Sequence, residues 1–300
     1  MSDSHPSHIP VLAEECLEAL AINPTGSYVD ATFGRGGHAG MILSELGEEG
    51  HLYAFDQDET AVECANRLFQ GDKRFTIIHD NFAHILSRLS DLGVDGVDGI
   101  LMDLGVSSPQ LDEADRGFSF MRDGPLDMRM DQSKGQTAYE YLMQVREGDL
   151  AEAIATYGEE RFAKRIAKYI VAARKDSQLK DSTLSLVKII EASGVRRDKH
   201  KHPATRTFQA IRMVVNQEAK VLEEGLRGAL RSLRIGGRLV IISFQGLEHR
   251  IVKAFIREYR QKDGEYVLKQ MGKAQGVGFL EKRRNIRARS AFVRVMERIK

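Results

Sequence analysis

Asp56 and Asp103 each close a short apolar run, H-L-Y-A-F-D from His51 and I-L-M-D from Ile100. Gly34, Gly36 and Gly37 follow a third run, S-Y-V-D-A-T-F from Ser27. A strand that enters a glycine bend and then a helix presents free backbone N–H groups to a ligand, and glycine permits a close approach that a larger side chain would block. An acidic residue about 20 positions beyond such a loop is placed to hold ribose hydroxyls. Asp56 is therefore the candidate ribose ligand, and a nucleotide-type ligand is the first expectation.

The glycine pattern narrows the ligand. The dinucleotide fingerprint is G-x-G-x-x-G, whereas this chain reads F-G-R-G-G-H from Phe33, with no glycine in the third place. A nicotinamide-dependent oxidoreductase is the weaker reading. A looser bend after the first strand, with acids ending the second and fourth, suits an adenosyl ligand without a pyrophosphate, which is the pattern of S-adenosylmethionine enzymes. Asp103, Ser107 and Ser108 are the candidates nearest the chemistry. The S-S-P-Q that begins at Ser107 stands where amino methyltransferases carry an S-P-P-Y-type loop that holds an amine. Ser107 and Ser108 can equally form a turn before Pro109.

Elements to position these groups follow from the pattern. Apolar runs at Tyr28 to Phe33, His51 to Phe55, Phe75 to Ile78 and Gly99 to Met102 alternate with helical stretches at Glu59 to Phe69 and Phe82 to Leu92, which predicts a parallel sheet covered by helices. Residues 105–136 interrupt this with Gly, Ser, Pro and Asp, and Ala138 to Ile190 reads as successive amphipathic helices. Strand character returns at Gly237 to Phe244, followed by a helix around Glu248 to Tyr259 and further strands at Tyr266 to Lys269 and Ala291 to Met296. The expected organisation is one discontinuous α/β domain, 1–108 with 213–300, interrupted by an all-helical domain at 109–212. Asp123, Asp127 and Asp131 lack calcium-loop spacing, so a solvated loop or one ordered by RNA is expected there, and no metal site.

Bulk properties exclude several classes. The 300 residues are 42% hydrophobic and carry a net charge of +1, enough for a full core and too balanced for a general polyanion coat. Two cysteines, Cys16 and Cys64, fit a reducing compartment and exclude a disulfide scaffold or a cysteine-built zinc site. The start M-S-D-S-H-P-S-H-I-P lacks a basic and then apolar leader pattern, and no apolar run spans a bilayer, so a cytoplasmic protein away from membranes is expected. Basic residues concentrate in two places: Arg196, Arg197, Lys199, Lys201, His202, Arg206 and Arg212, with Phe208 available for stacking; and Arg283, Arg284, Arg287, Arg289 and Arg294. Such clusters suit RNA phosphates and splayed bases.

Longer segments carry a resemblance. H-I-P-V-L-A-E-E from His8, D-A-T-F-G-R-G-G-H from Asp30, D-L-G-V-S-S-P-Q-L-D from Asp103, R-G-F-S-F from Arg116, D-G-P-L-D-M-R-M from Asp123, Y-G-E-E from Tyr157 and H-P-A-T-R-T-F-Q-A-I-R from His202 are similar to the bacterial small-subunit ribosomal RNA cytosine-N4 methyltransferases, the methyltransferase H or MraW family. The resemblance implies a class I S-adenosylmethionine methyltransferase fold, Rossmann-like, with an inserted helical substrate-recognition domain. It implies a cofactor pocket lined by Gly36, Gly37, His38, Asp56, Phe82, Asp103 and Gln110. It implies as acceptor a cytidine in the decoding region of 16S ribosomal RNA within the small subunit; a homodimer is compatible with it. Two departures stand out. Where the family carries I-S-F-H-S-L-E-D-R, this chain has I-S-F-Q-G-L-E-H-R, so Gln245, Gly246 and His249 replace His, Ser and Asp; and N-I-R-A-R-S from Asn285 replaces N-P-R-A-R-S. The first departure leaves open a non-catalytic RNA-binding or assembly factor.

Overall fold

The structure is a computed structural model that describes residues 10–195, 202–260, 267–278 and 285–300, with backbone alone at 286 and 287. Two compact units emerge, one formed by Met1–Gly105 with Ala219–Lys300 and the other by Val106–Glu218.

The first unit is built on a sheet. Its strands are β1 (Ser27–Asp30), β2 (His51–Asp56), β3 (Phe75–His79), β4 (Val97–Asp103), β5 (Leu233–Ser243), β6 (Leu268–Gln270), β7 (Gln275–Gly276) and β8 (Phe292–Arg298). They lie in the order β3-β2-β1-β4-β5-β8-β6, with β7 beside β8. The pairs from β3 to β5 are parallel and β8 runs antiparallel to β5. This is a Rossmann-like, mostly parallel, doubly wound sheet.

Side-chain alternation explains why these runs become central strands. Successive residues of a strand point to opposite faces. Tyr28, Leu52, Leu101, Val240 and Ile242 fall on one side with α1 (Ala13–Leu20) and α2 (Gly37–Glu45). Val29, Phe55, Ile100, Met102, Leu239 and Ile241 fall on the other, with α4 (Ile85–Asp91), α11 (Glu218–Ser232) and α12 (Gly246–Arg260). Both faces are covered, so the strands read as unbroken apolar runs instead of an alternation. α3 (Glu59–Leu68) connects β2 to β3 and starts at Asp58, whose side chain accepts from the Thr60 N–H at 3.1 Å.

The strand order reverses between β1 and β4. In open α/β sheets the crevice at the carboxyl ends of the strands flanking such a reversal is where ligands bind. Asp30 ends one of these strands and Asp103 the other.

The second unit is helical among its described residues: α5 (Ser108–Asp112), α6 (Ala138–Gln144), α7 (Glu147–Gly158), α8 (Ala163–Lys175), α9 (Thr183–Ala192) and α10 (Thr205–Val215), around a core that includes Leu142, Ile154, Ile166, Ile170, Leu186 and Phe208. The 105–136 segment is ordered by contacts of its own, not left as a solvated loop. Asp123 accepts from Ser182 Oγ at 2.6 Å, Asp127 pairs with Arg129 at 2.8 Å and Asp131 pairs with Lys134 at 2.7 Å. Leu126 and Met128 are fully buried between these anchors. Among the described residues, no helix is long and apolar enough to cross a membrane.

Candidate functional site

The glycine bend lies at the tip of β1. Gly34 and Gly36 hold φ of +57° and +78°, the left-handed region that favours glycine, and a Cβ on Gly36 would meet the Phe33 ring at 2.8 Å. Gly36 caps α2, which opens at Gly37. The turn is tied to the neighbouring strand: Asp56 Oδ2 accepts from the Gly34 N–H at 2.8 Å, and Asp56 Oδ1 accepts from the Asp58 N–H at 2.9 Å. Asp56 thus orders the bend as well as facing the crevice end of β2. Burial raises its carboxyl to about 6, against the stabilising pull of those N–H groups.

Asp30, Thr32 and Asp103 meet at the reversal point. The Thr32 hydroxyl accepts from the Asp103 N–H at 2.7 Å, and Asp30 Oδ1 accepts from the Thr32 N–H at 3.1 Å. The other oxygen of Asp30, Oδ2, and Asp103 Oδ1 are buried without a hydrogen-bond partner in the described structure. Burial lifts Asp30 to about 7, and lifts Asp103 to about 8 with the negative charges of Asp30 and Glu248 adding to it. Unpaired buried carboxyl oxygens cost stability and call for a donor from outside.

His38 closes one side. Its Nε2 donates to the Val11 carbonyl at 3.1 Å, and its Nδ1 stands 3.9 Å from Asp103 Oδ2. Burial lowers its pKa to about 4, so the ring is neutral and lines the crevice without acting as a cation. Phe82, in the 3-10 turn Phe82–His84, packs onto α11, where a Cβ on Gly225 would clash with its ring.

Other expected site residues belong to the second unit. Ser107 caps α5, with its hydroxyl accepting from the Gln110 N–H at 3.5 Å and its own N–H donating to Gln110 Oε1 at 3.0 Å. Ser107 and Gln110 therefore form a capping box, and Ser108 is the first residue of the helix.

The basic residues divide more sharply. Arg196, Arg197, Lys199, Lys201, Arg283 and Arg284 lie outside the described residues, as does the side chain of Arg287. Arg289 is exposed. His202 stacks on Phe120 at 4.8 Å and Arg206 pairs with Glu160 at 3.4 Å. Arg212 must be corrected: it is 8% exposed and grips Glu218 with two bonds of 2.6 Å, so its guanidinium fastens α10 to the start of α11 and faces no phosphate. Phe208, expected to stack on bases, is in the helical core. Arg294 is likewise buried in β8, where it donates to Ser243 Oγ at 3.1 Å.

Sequence reasoning assigned no role to Asp30, Thr32 or Glu248. Glu248 is buried, and its Oε2 accepts from the N–H groups of Phe244 and Gln245 at 2.7 and 3.0 Å, fixing the exit of β5. Asp30 could have been found from its place at the end of the first strand, since a polar residue closing a buried run is informative.

The match to known proteins is extensive. The model of the MraW methylase family covers residues 5–299. The chain belongs to the MraW methylase family. Similar relatives carry the name ribosomal RNA small subunit methyltransferase H: one from Alteromonas mediterranea is 50% identical, covering 97% of each chain, one from Pseudoalteromonas atlantica is 49% identical over 99% of each, and one from Acinetobacter baumannii is 49% identical over 98% of each. A solved rRNA methylase from Streptococcus thermophilus aligns over the full length of both chains at 12% identity with a TM-score of 0.46.

Proposed function

We propose that this methyltransferase uses S-adenosylmethionine to methylate the N4 amine of a cytidine in the decoding region of small-subunit ribosomal RNA. The observation that carries the reading is the pair of buried carboxyl oxygens, Asp30 Oδ2 and Asp103 Oδ1, without a partner among the described residues at the sheet's reversal point in a chain of this family. The names of the relatives supply the RNA class; the cytosine N4 position rests on the sequence resemblance.

The residues present fit the cofactor. Asp56 offers a carboxylate for ribose hydroxyls, Gly36 and Gly37 open the backbone, and His38 and Phe82 supply uncharged walls. Gln110 completes the proposed set from the sequence alone. When bound, the cofactor supplies an electrophilic methyl group.

The chain's own task is positioning. Cytosine N4 is a weak nucleophile because its lone pair is delocalised into the ring, so the amine must be held in line. Asp103 Oδ1 is the proposed acceptor of one N4–H. A carboxyl raised to about 8 is a far stronger base, once ionised, than an ordinary aspartate, so it can take the amine proton near neutral pH. Ser107 and Ser108 are the proposed partners that follow it in sequence. A cytosine in stacked RNA must be turned out first, at a cost of a few kcal/mol.

The test is to incubate the protein with methyl-labelled S-adenosylmethionine and small ribosomal subunits or their free RNA, then digest to nucleosides for mass spectrometry. N4-methylated cytidine is expected. Label on another base or position overturns the cytosine-N4 reading, and no label in any RNA favours the assembly-factor reading. Calorimetry with S-adenosylhomocysteine against NAD separates the oxidoreductase reading, which requires saturable NAD binding alone.

A further inference from the structure

A cleft of about 740 Å³ lies in the first unit between α12 and the β6, β7 and β8 edge of the sheet. Its lining includes His249, Lys253, Arg257, Arg260, Phe292 and Arg294, and no Asp or Glu lines it among the described residues. Four of these recur along α12 at spacings of four, four and three, which places them on one stripe of the helix. Lys253, Arg257 and Arg260 are exposed and make no ion pair among the described residues. Like charges one helical turn apart destabilise a helix, so such a stripe marks a surface waiting for an anion.

The base of the cleft is built with equal care. Arg294 Nη1 donates to both Ser243 Oγ at 3.1 Å and His249 Nδ1 at 3.3 Å, and the Ser243 hydroxyl donates to the same Nδ1 at 2.7 Å. Because the arginine can only donate, Nδ1 is the acceptor and Nε2 carries the hydrogen. Burial and the charges of Arg294 and Lys253 lower the pKa of His249, which keeps the ring in that neutral form. Phe292, edge-on to His249 at 5.3 Å, is 40% exposed and offers an aromatic face.

The sheet register fixes where the cleft stands relative to the proposed methyl-transfer site. Asp103 pairs with Ile242 across β4 and β5, and Ser243, the next residue, pairs with Phe292 across β5 and β8. Two strand spacings separate them, about 10 Å. That is a step of one or two nucleotides along an extended strand.

We infer that this cationic cleft binds a single-stranded segment of the substrate RNA next to the methylated base, with Lys253, Arg257 and Arg260 on backbone phosphates and Phe292 stacked on a flanking base. The inference rests on the proposed RNA methyltransferase reading and extends it to a second, substrate-side subsite.

The test compares wild-type protein with K253A/R257A and with F292A and F292L, using fluorescence anisotropy with a labelled single-stranded oligonucleotide of the decoding-region sequence across a salt series, and calorimetry with S-adenosylhomocysteine. The double variant is expected to lose about 1.4 from the slope of log affinity against log salt, at about 0.7 per phosphate contact on a single strand. Both Phe292 variants are expected to bind about tenfold more weakly, leucine included because it lacks a stacking face. Cofactor affinity stays at the wild-type value, which shows the fold intact. If wild-type protein binds RNA while the variants match it in affinity and salt slope, the cleft is not an RNA subsite although the methyltransferase reading stands. If wild-type protein binds no RNA, the subsite inference falls, while the methyltransferase reading is decided separately by label transfer to assembled small subunits.

Discussion

His38 Nδ1 lies 3.9 Å from Asp103 Oδ2, and at neutral pH the two face each other without charge. Burial lowers the imidazole to about 4 and raises the carboxyl to about 8, so each group gives up its ionised form instead of forming an ion pair. The crevice of the free protein therefore stores a protonated aspartate. A ligand that offers hydrogen-bond donors to Asp103 favours its ionised form.

That storage gives the free protein a pH signature. Asp103 at about 8, Asp30 at about 7 and Asp56 at about 6 bind protons more tightly folded than unfolded. The stability they contribute is complete below about pH 4 and is lost as pH rises toward 8. His38 acts the other way, its contribution present above about pH 6.5 and lost as pH falls through 4. We expect a higher melting temperature at pH 6 than at pH 8.5 in the absence of cofactor. D103N should flatten the alkaline limb; an unchanged limb would exclude Asp103 as its source.

For catalysis, D103N should lower single-turnover methyl transfer by about 10²-fold or more, the usual range for removing a positioned base. The wild-type rate should climb between pH 6 and 8.5 as Asp103 ionises, and the variant's rate should not. Stopped assays with labelled S-adenosylmethionine at saturating RNA measure both. Equal rates for the two proteins would remove Asp103 from the chemistry.

Asp56 should couple cofactor affinity to pH. Ribose hydroxyls favour the ionised carboxylate, so binding of S-adenosylhomocysteine should weaken as pH falls below about 6. D56N should lose that dependence and bind about 10-fold to 100-fold more weakly, from loss of a charged hydrogen bond of about 1.5–3 kcal/mol. D56A should be worse, because it also frees the Gly34 N–H. Calorimetry at pH 5 and 7.5 tests this, and equal affinities at both would show that Asp56 does not meet the cofactor.

Arg212 should behave as a structural residue. R212A leaves the partly buried Glu218 without its arginine, at a cost of about 1–3 kcal/mol in urea unfolding. The salt slope of RNA binding by the folded fraction should match wild type, whereas a phosphate-contacting arginine would reduce it.

The glycine bend is also a stability element. G36A forces a Cβ into the left-handed region and against the Phe33 ring, for an expected loss of about 1–3 kcal/mol. Denaturant titration with bound and free cofactor separates this loss from any effect on the crevice.

Much of this protein can be read from local sequence. The runs ending in Asp56 and Asp103 announced two strands of a parallel sheet because a strand buried on both faces needs nearly every residue apolar, leaving its polar end conspicuous. F-G-R-G-G-H announced the bend because only glycine takes such dihedrals cheaply. Tertiary structure decided what local pattern cannot hold. It placed Asp30 beside Asp103, residues far apart in the chain, by the reversal of strand order, and burial there set their proton affinities. It also turned Arg212, Phe208 and Arg294 inward, since a basic or aromatic residue reads the same in sequence whether its partner is a phosphate, a glutamate or a core. And it gathered Lys253, Arg257 and Phe292 around one cleft, a grouping that only the pairing of β8 with β5 creates.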